Sequence, residues 1–117
     1  MAKGLVLVVE DESVVRWVMS RVLREAGYVV AEVTRGDEAI ELGRKIEFDA
    51  IVTDSHMPGL SGLELLEQMR REWPSIPILR VSGSPPPEGS ADDRVRHLQK
   101  PFTVDSFLHA VEGLLSD

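Results

Sequence analysis

Glu10, Asp11, Asp54, Ser82 and Lys100 are the side chains of this 117-residue chain best suited to do chemistry together. Each stands just after a run that reads as a strand: L-V-L-V-V before Glu10-Asp11-Glu12, A-I-V-T before Asp54, I-L-R-V before Ser82-Gly83 and V-R-H-L-Q before Lys100-Pro101. Carboxylates brought within a few ångströms repel strongly unless a cation or a proton intervenes. With oxygen donors and no cysteine, the matching ion is hard, and a few carboxylates with water and a phosphate is a usual Mg²⁺ arrangement. A lysine and a hydroxyl opposite the metal would hold the remaining phosphoryl oxygens, the clamp that phosphoryl transfer needs. An aspartate can itself accept the phosphoryl group. Singly, each residue has a plainer reading: acids favour the first turn of a helix, an aspartate caps turns, and Lys-Pro is ordinary in loops. Their joint placement after strands of one sheet is what argues for a site.

The elements that would position them alternate. Leu5–Val9 is a continuous apolar run of the kind found in strands covered on both faces. The first helix carries Val15, Val18, Met19, Val22 and Leu23 at helical spacing and ends at Gly27, where a left-handed cap belongs. A strand over Tyr28–Val33 and a short helix near Asp37–Lys45 come next, then a strand from Asp49 to Thr53. Gly62–Trp73 is predicted helical with Leu65, Leu66 and Met69 inward, and Trp73 closes its end over the core. Ile76–Val81 and Val95–Gln99 supply two more strands, and a last helix carries Val104, Phe107, Leu108, Val111, Leu114 and Leu115. This alternation argues an α/β fold, a parallel sheet with helices on both faces. Ligands of such sheets bind beyond the carboxyl ends of the strands, where all five residues fall.

A helix ought to lie between the fourth and fifth strands, but Ser82–Ser90 reads S-G-S-P-P-P-E-G-S. Consecutive prolines do not fit a helix interior. That helix is therefore expected to be shortened or replaced by a Pro-rich loop, with one or two helical turns at most between Ser90 and Arg94.

Composition narrows the function. A hydrophobic fraction of 43% and a charged fraction of 28% are those of a globular domain. The net charge of −7 disfavours direct nucleic-acid binding and suits a cation site. No apolar run approaches the roughly 20 residues of a membrane span. The chain reads as a cytoplasmic protein or as one domain of a larger one.

The pieces L-V-L-V-V-E-D-E, I-V-T-D-S-H-M-P-G-L-S-G, I-L-R-V-S-G and K-P-F run in order along the whole chain. In that combination the sequence resembles the receiver domain of two-component response regulators. The resemblance implies a single receiver domain over 1–117, doubly wound and flavodoxin-like, with five strands in the order 2-1-3-4-5. It implies Asp54 as phosphoacceptor, Ser82 as the switch hydroxyl and Lys100, before a cis proline, as the partner of the phosphoryl group. Asp11 would bind Mg²⁺ directly, Glu10 through water, with Asp54 and the backbone carbonyl of His56 completing the protein ligands. The donor would be a sensor histidine kinase or a histidine phosphotransfer protein, and a downstream protein target would read the result. Such a domain is a signalling switch, not a metabolic enzyme, and a monomer or weak dimer.

Two departures stand out. His97 occupies the place where the family usually has a rotating Tyr or Phe, and only 17 residues separate Ser82 from Lys100. Val14 and Trp17, off the apolar stripe of the first helix, are candidate partner-docking residues. A phosphorylation-independent receiver-like interaction module is the alternative. An aspartyl-phosphate phosphatase of the haloacid-dehalogenase sort would want a second aspartate at position 56, where this chain has His56.

Overall fold

The computed structural model describes residues 3–54, 62–85 and 94–115, with the side chains of 62, 63 and 65 outside that description. Strands β1 (Leu5–Val9), β2 (Val29–Val33), β3 (Ala50–Asp54), β4 (Ile78–Ser82) and β5 (Val95–Gln99) form one sheet. Helices α1 (Ser13–Glu25), α2 (Gly36–Gly43), α3 (Gly62–Glu72) and α4 (Val104–Leu115) are the four helices of the described residues. The sheet is parallel throughout, in the order β2-β1-β3-β4-β5. Of the expected strand limits, β4 moves most: Ile76 and Pro77 stay outside it, although the Pro77 carbonyl accepts from the Ile51 N–H. The expected Pro-rich loop or shortened helix falls mainly on 86–93, outside the described residues, as does the side chain of Leu65 on α3.

Alternation along the strands divides the core in two. Val6, Val8, Val52, Leu79 and Val81 face α1 and α4, meeting Met19, Leu23, Phe107 and Val111. Leu7, Val9, Ile51 and Ile78 face α2 and α3, meeting Ala39, Ile40 and Met69. Side chains of successive strand residues point to opposite faces, so a continuous apolar run is what two covered faces require.

Helix α1 ends in the cap its sequence predicts. Gly27 has φ +103°, Tyr28 N–H donates to the Leu23 carbonyl and Gly27 N–H to that of Arg24. Those are the two bonds of a Schellman cap, and a glycine takes that conformation without steric cost. The cap turns the chain at once into β2, beside β1.

Trp73 packs its indole against the end of α2, which explains Gly43. A Cβ there would lie 1.9 Å from Trp73 Cζ2, inside any real contact distance. Gly43→Ala is therefore expected to destabilise the fold by about 1–3 kcal/mol, the usual cost of forced overpacking. Urea unfolding checks this; an unchanged midpoint would show that the indole moves aside freely.

Candidate functional site

Because β1 and β3 are neighbours, the residues that end them meet at the carboxyl edge of the sheet. Glu10, Asp11 and Asp54 each offer a carboxylate oxygen, and these oxygens lie within 4.8 Å of one another. Glu10 is fully buried, Asp54 is 5% exposed and Asp11 is exposed. Lys100, brought across from the end of β5, places Nζ 3.3 Å from Asp54 Oδ1 and 3.5 Å from Glu10 Oε1. The ammonium thus touches two of the three carboxylates. Ser82, buried at the end of β4, accepts a hydrogen bond at Oγ from the Ser84 N–H at 3.1 Å. Its carbonyl accepts from the Lys100 N–H at 2.7 Å, tying the strand ends that carry the hydroxyl and the ammonium. The Lys100–Pro101 peptide is cis.

The acids do not serve as a helix cap. Glu12 stands at the N-cap of α1 without a side-chain capping bond, and the first turn of that helix holds no acid. Instead, Glu10 Oε2 accepts from the Glu12 N–H at 3.2 Å. The other oxygen, Oε1, is buried and among the described residues accepts no hydrogen bond, with the Lys100 ammonium at ion-pair distance. A buried carboxylate oxygen left this way, beside two further carboxylates, fits a divalent cation with oxygen ligands.

Electrostatics describe the same crowding. Burial pushes the Glu10 carboxyl up to about 7; the Glu12 N–H works against the shift and the charge of Asp54 adds to it. Burial also opposes the charge on Lys100, but Asp54 and then Glu10 outweigh it and hold the ammonium above the usual lysine value.

Sequence reasoning missed Arg16. Its Nη1 donates to the carbonyl of Glu10 at 3.0 Å and to that of Asp11 at 3.5 Å, while Nε pairs with Glu32 of β2 at 3.5 Å. The guanidinium clamps the turn that presents both acids. The available signal was an arginine one helical turn into α1, set between inward-facing valines.

Of the remaining predicted residues, His56 lies outside the described residues. His97 is half-buried on β5, away from the carboxylates, and opposite Arg80 of β4. Val14 and Trp17 are 71% and 59% exposed, with the Arg21 guanidinium 5.2 Å from the Trp17 ring centroid. Among the described residues no helix is long and apolar enough to cross a membrane.

The model of the response regulator receiver domain matches residues 6–112. The chain is 32% identical to the DNA-binding transcriptional regulator NtrC of Escherichia coli K12 over 99% of its own length, but spans only 26% of that protein. The chemotaxis response regulator CheY4 of Vibrio cholerae superposes with a TM-score of 0.87 at 32% identity, covering 98% of this chain and 99% of that one. The receiver domain of the sensor histidine kinase PA1611 of Pseudomonas aeruginosa PAO1 superposes with a TM-score of 0.86 at 25% identity, covering 99% and 100%. That structure has a magnesium ion coordinated in its active-site cleft.

Glu10 generates a pH dependence with a definite sign. Its carboxyl titrates near 7 in the folded chain and near 4.5 when unfolded, so the folded state holds the extra proton between those values. In metal-free protein this contribution is complete below about pH 4.5 and is lost as pH rises through 7. Relative to Glu10→Gln, wild-type stability should fall on going from pH 5 to 8, by at most about 1.4 kcal/mol per pH unit. Parallel pH profiles of urea unfolding for the two proteins would refute it.

Proposed function

The chain belongs to the response regulator receiver domain family, and on that premise we propose that it is a phosphorylatable receiver with Asp54 as phosphoacceptor. The observation that carries this reading is Lys100 Nζ lying against both Asp54 and Glu10 at the edge of a three-carboxylate cluster. In the proposed reaction Asp54 attacks the phosphorus of a phosphohistidine, the P–N bond breaks, and the imidazole leaves with the bonding electrons. The Asp54 side chain is nearly buried but open at the sheet edge, which shelters the acyl phosphate while admitting the donor. Lys100 offers an ammonium to the oxygens of the incoming group, and its charge is secure because two carboxylates flank it. Ser82 keeps its O–H for the phosphoryl group, since only the oxygen lone pair is used by Ser84.

Glu10, Asp11 and Asp54, with the backbone carbonyl of His56, are the proposed Mg²⁺ ligands; the three clustered carboxylates, and the magnesium ion in the cleft of the similar PA1611 receiver, support the choice of ion. The ion would neutralise charge on the transferring group. When Ser82 turns its oxygen toward the phosphoryl group, the Ser84 N–H loses its partner, so 83–85 must rearrange. That rearrangement is the proposed switch, and a protein target reads it. Domain limits of 1–117, a histidine kinase or phosphotransfer donor, and a donor-docking role for Val14 and Trp17 belong to the same proposal.

Intact mass after incubation with acetyl phosphate and Mg²⁺ tests it. Wild type should gain one phosphoryl group; Asp54→Asn and metal-free samples should gain none. Lys100→Met should slow the gain by at least about 10²-fold, the scale of removing a preorganised charge from a transition state. Folded, Mg²⁺-binding protein that gains no mass would favour a phosphorylation-independent interaction module instead.

A further inference from the structure

Among the described residues, the buried charge of Arg80 has no counterion. It lies in the middle of β4, only 8% exposed, and its Nε and Nη1 have no hydrogen-bond partner. Beside it, in register on β5, is His97, whose two ring nitrogens are likewise buried and unpartnered. Strand alternation puts both on the face of Ile78 and Val95, the side packed by α2 and α3. A guanidinium stays protonated at any working pH, so it does not escape burial by losing its charge. An unpaired buried charge is among the costliest features a fold can hold. His97 differs, for burial and then the charge of Arg80 hold its pKa below the usual histidine value. A neutral imidazole keeps one N–H to donate.

Two guanidinium nitrogens and an imidazole N–H on adjacent strands make a donor set for a negatively charged oxygen ligand. We propose that Arg80 and His97 form an oxyanion-binding site on the β4–β5 face, separate from the Asp54 cluster, that takes a carboxylate, sulfate or phosphate group. Separation follows from register: Asp54 is paired with Val81, whose side chain faces the opposite core, and Lys100 lies beyond the end of β5. The oxyanion comes either from solution or from a carboxylate of a second copy of this chain, which has 20 acidic against 13 basic residues. β5 is an edge strand of the sheet, so a second molecule can approach it from the side.

The test is residue-specific NMR of the full chain, following the Arg80 side-chain N–H and the His97 ring. One arm titrates sodium sulfate into dilute protein at constant ionic strength; the other raises protein concentration without sulfate. Saturating shifts at both residues in the first arm identify a dissolved anion, and in the second, with slower tumbling, a second copy. Arg80→Met should abolish either response and raise the urea midpoint in sulfate-free buffer, because it removes an uncompensated charge. Should that variant fail to fold, Arg80→Lys should weaken the response at least about tenfold, an ammonium being a poor substitute for a planar fork. Resonances unmoved in both arms, or moved equally in the Arg80 variants, overturn the site. So does a response seen only after Glu88→Gln, Asp92→Asn and Asp93→Asn, for the chain would then supply its own anion.

Discussion

Repulsion among Glu10, Asp11 and Asp54 is the constraint to which the carboxyl edge of this sheet is built. Among the described residues three carboxylates share one corner with a single ammonium, so the corner is underneutralised and would open if the chain were free to do so. It is held shut from below. β1 and β3 are hydrogen-bonded neighbours packed on both faces, and the side chains from Val6 to Glu10 and from Ala50 to Asp54 are essentially solvent-free. Burying each Val, Leu or Ile of these strands is worth about 1.5–3 kcal/mol. The apolar run of β1 and the acids after it are therefore one device: the run supplies the stability that the acids consume.

Holding the strands is not enough, since the β1–α1 turn could still swing its acids away. Two ties prevent this from opposite sides. Arg16 reaches back from α1 to the carbonyls of Glu10 and Asp11, and the Glu12 N–H holds one oxygen of Glu10. On the far side, the Ser82 carbonyl takes the Lys100 N–H, fixing the ammonium relative to β4. Each tie has a backbone carbonyl or a backbone N–H as one partner, and the charge that Arg16 brings to the turn is paired with Glu32.

How legible this was in sequence depended on whether the cause was local. β1 and β5 keep their predicted limits, β1 because its apolar run is bounded by Gly4 and Glu10, β5 because Lys100-Pro101 ends it. The cap at Gly27 was readable because one residue type meets its backbone demand. At β4 the apolar pattern of Ile76-Pro77 misled, since proline has no N–H for the ladder and pairing begins at Ile78. The carboxylates and Lys100 were legible as a set because parallel topology sends every strand end to one edge. Arg16 was not, because its partners are carbonyls, which carry no sequence signal. Arg80 was hidden inside the string I-L-R-V-S, where only the register with His97 shows that its charge is enclosed.

The sheet's two halves deal with polarity differently. β1 is apolar to its last residue, and on β3 polarity is confined to Thr53 and Asp54 at the carboxyl end. On β4 and β5 the face toward α2 and α3 carries Ile78, Arg80 and Ser82 against Val95, His97 and Gln99. Polar groups there run down into the sheet rather than stopping at its rim. Ser82 stands between them: its carbonyl is tied to the Lys100 backbone, and Arg80 is two residues below it on the same face. A displacement of Ser82 along β4 would therefore be felt at Arg80 and, through the cross-strand pair, at His97. Apolar residues in these two places would pack equally well in many slightly shifted registers. A buried cation tolerates few, because the cost of enclosing its charge depends on which polar groups it can reach. The polar strip makes this half of the sheet the one whose geometry answers most sharply to charge.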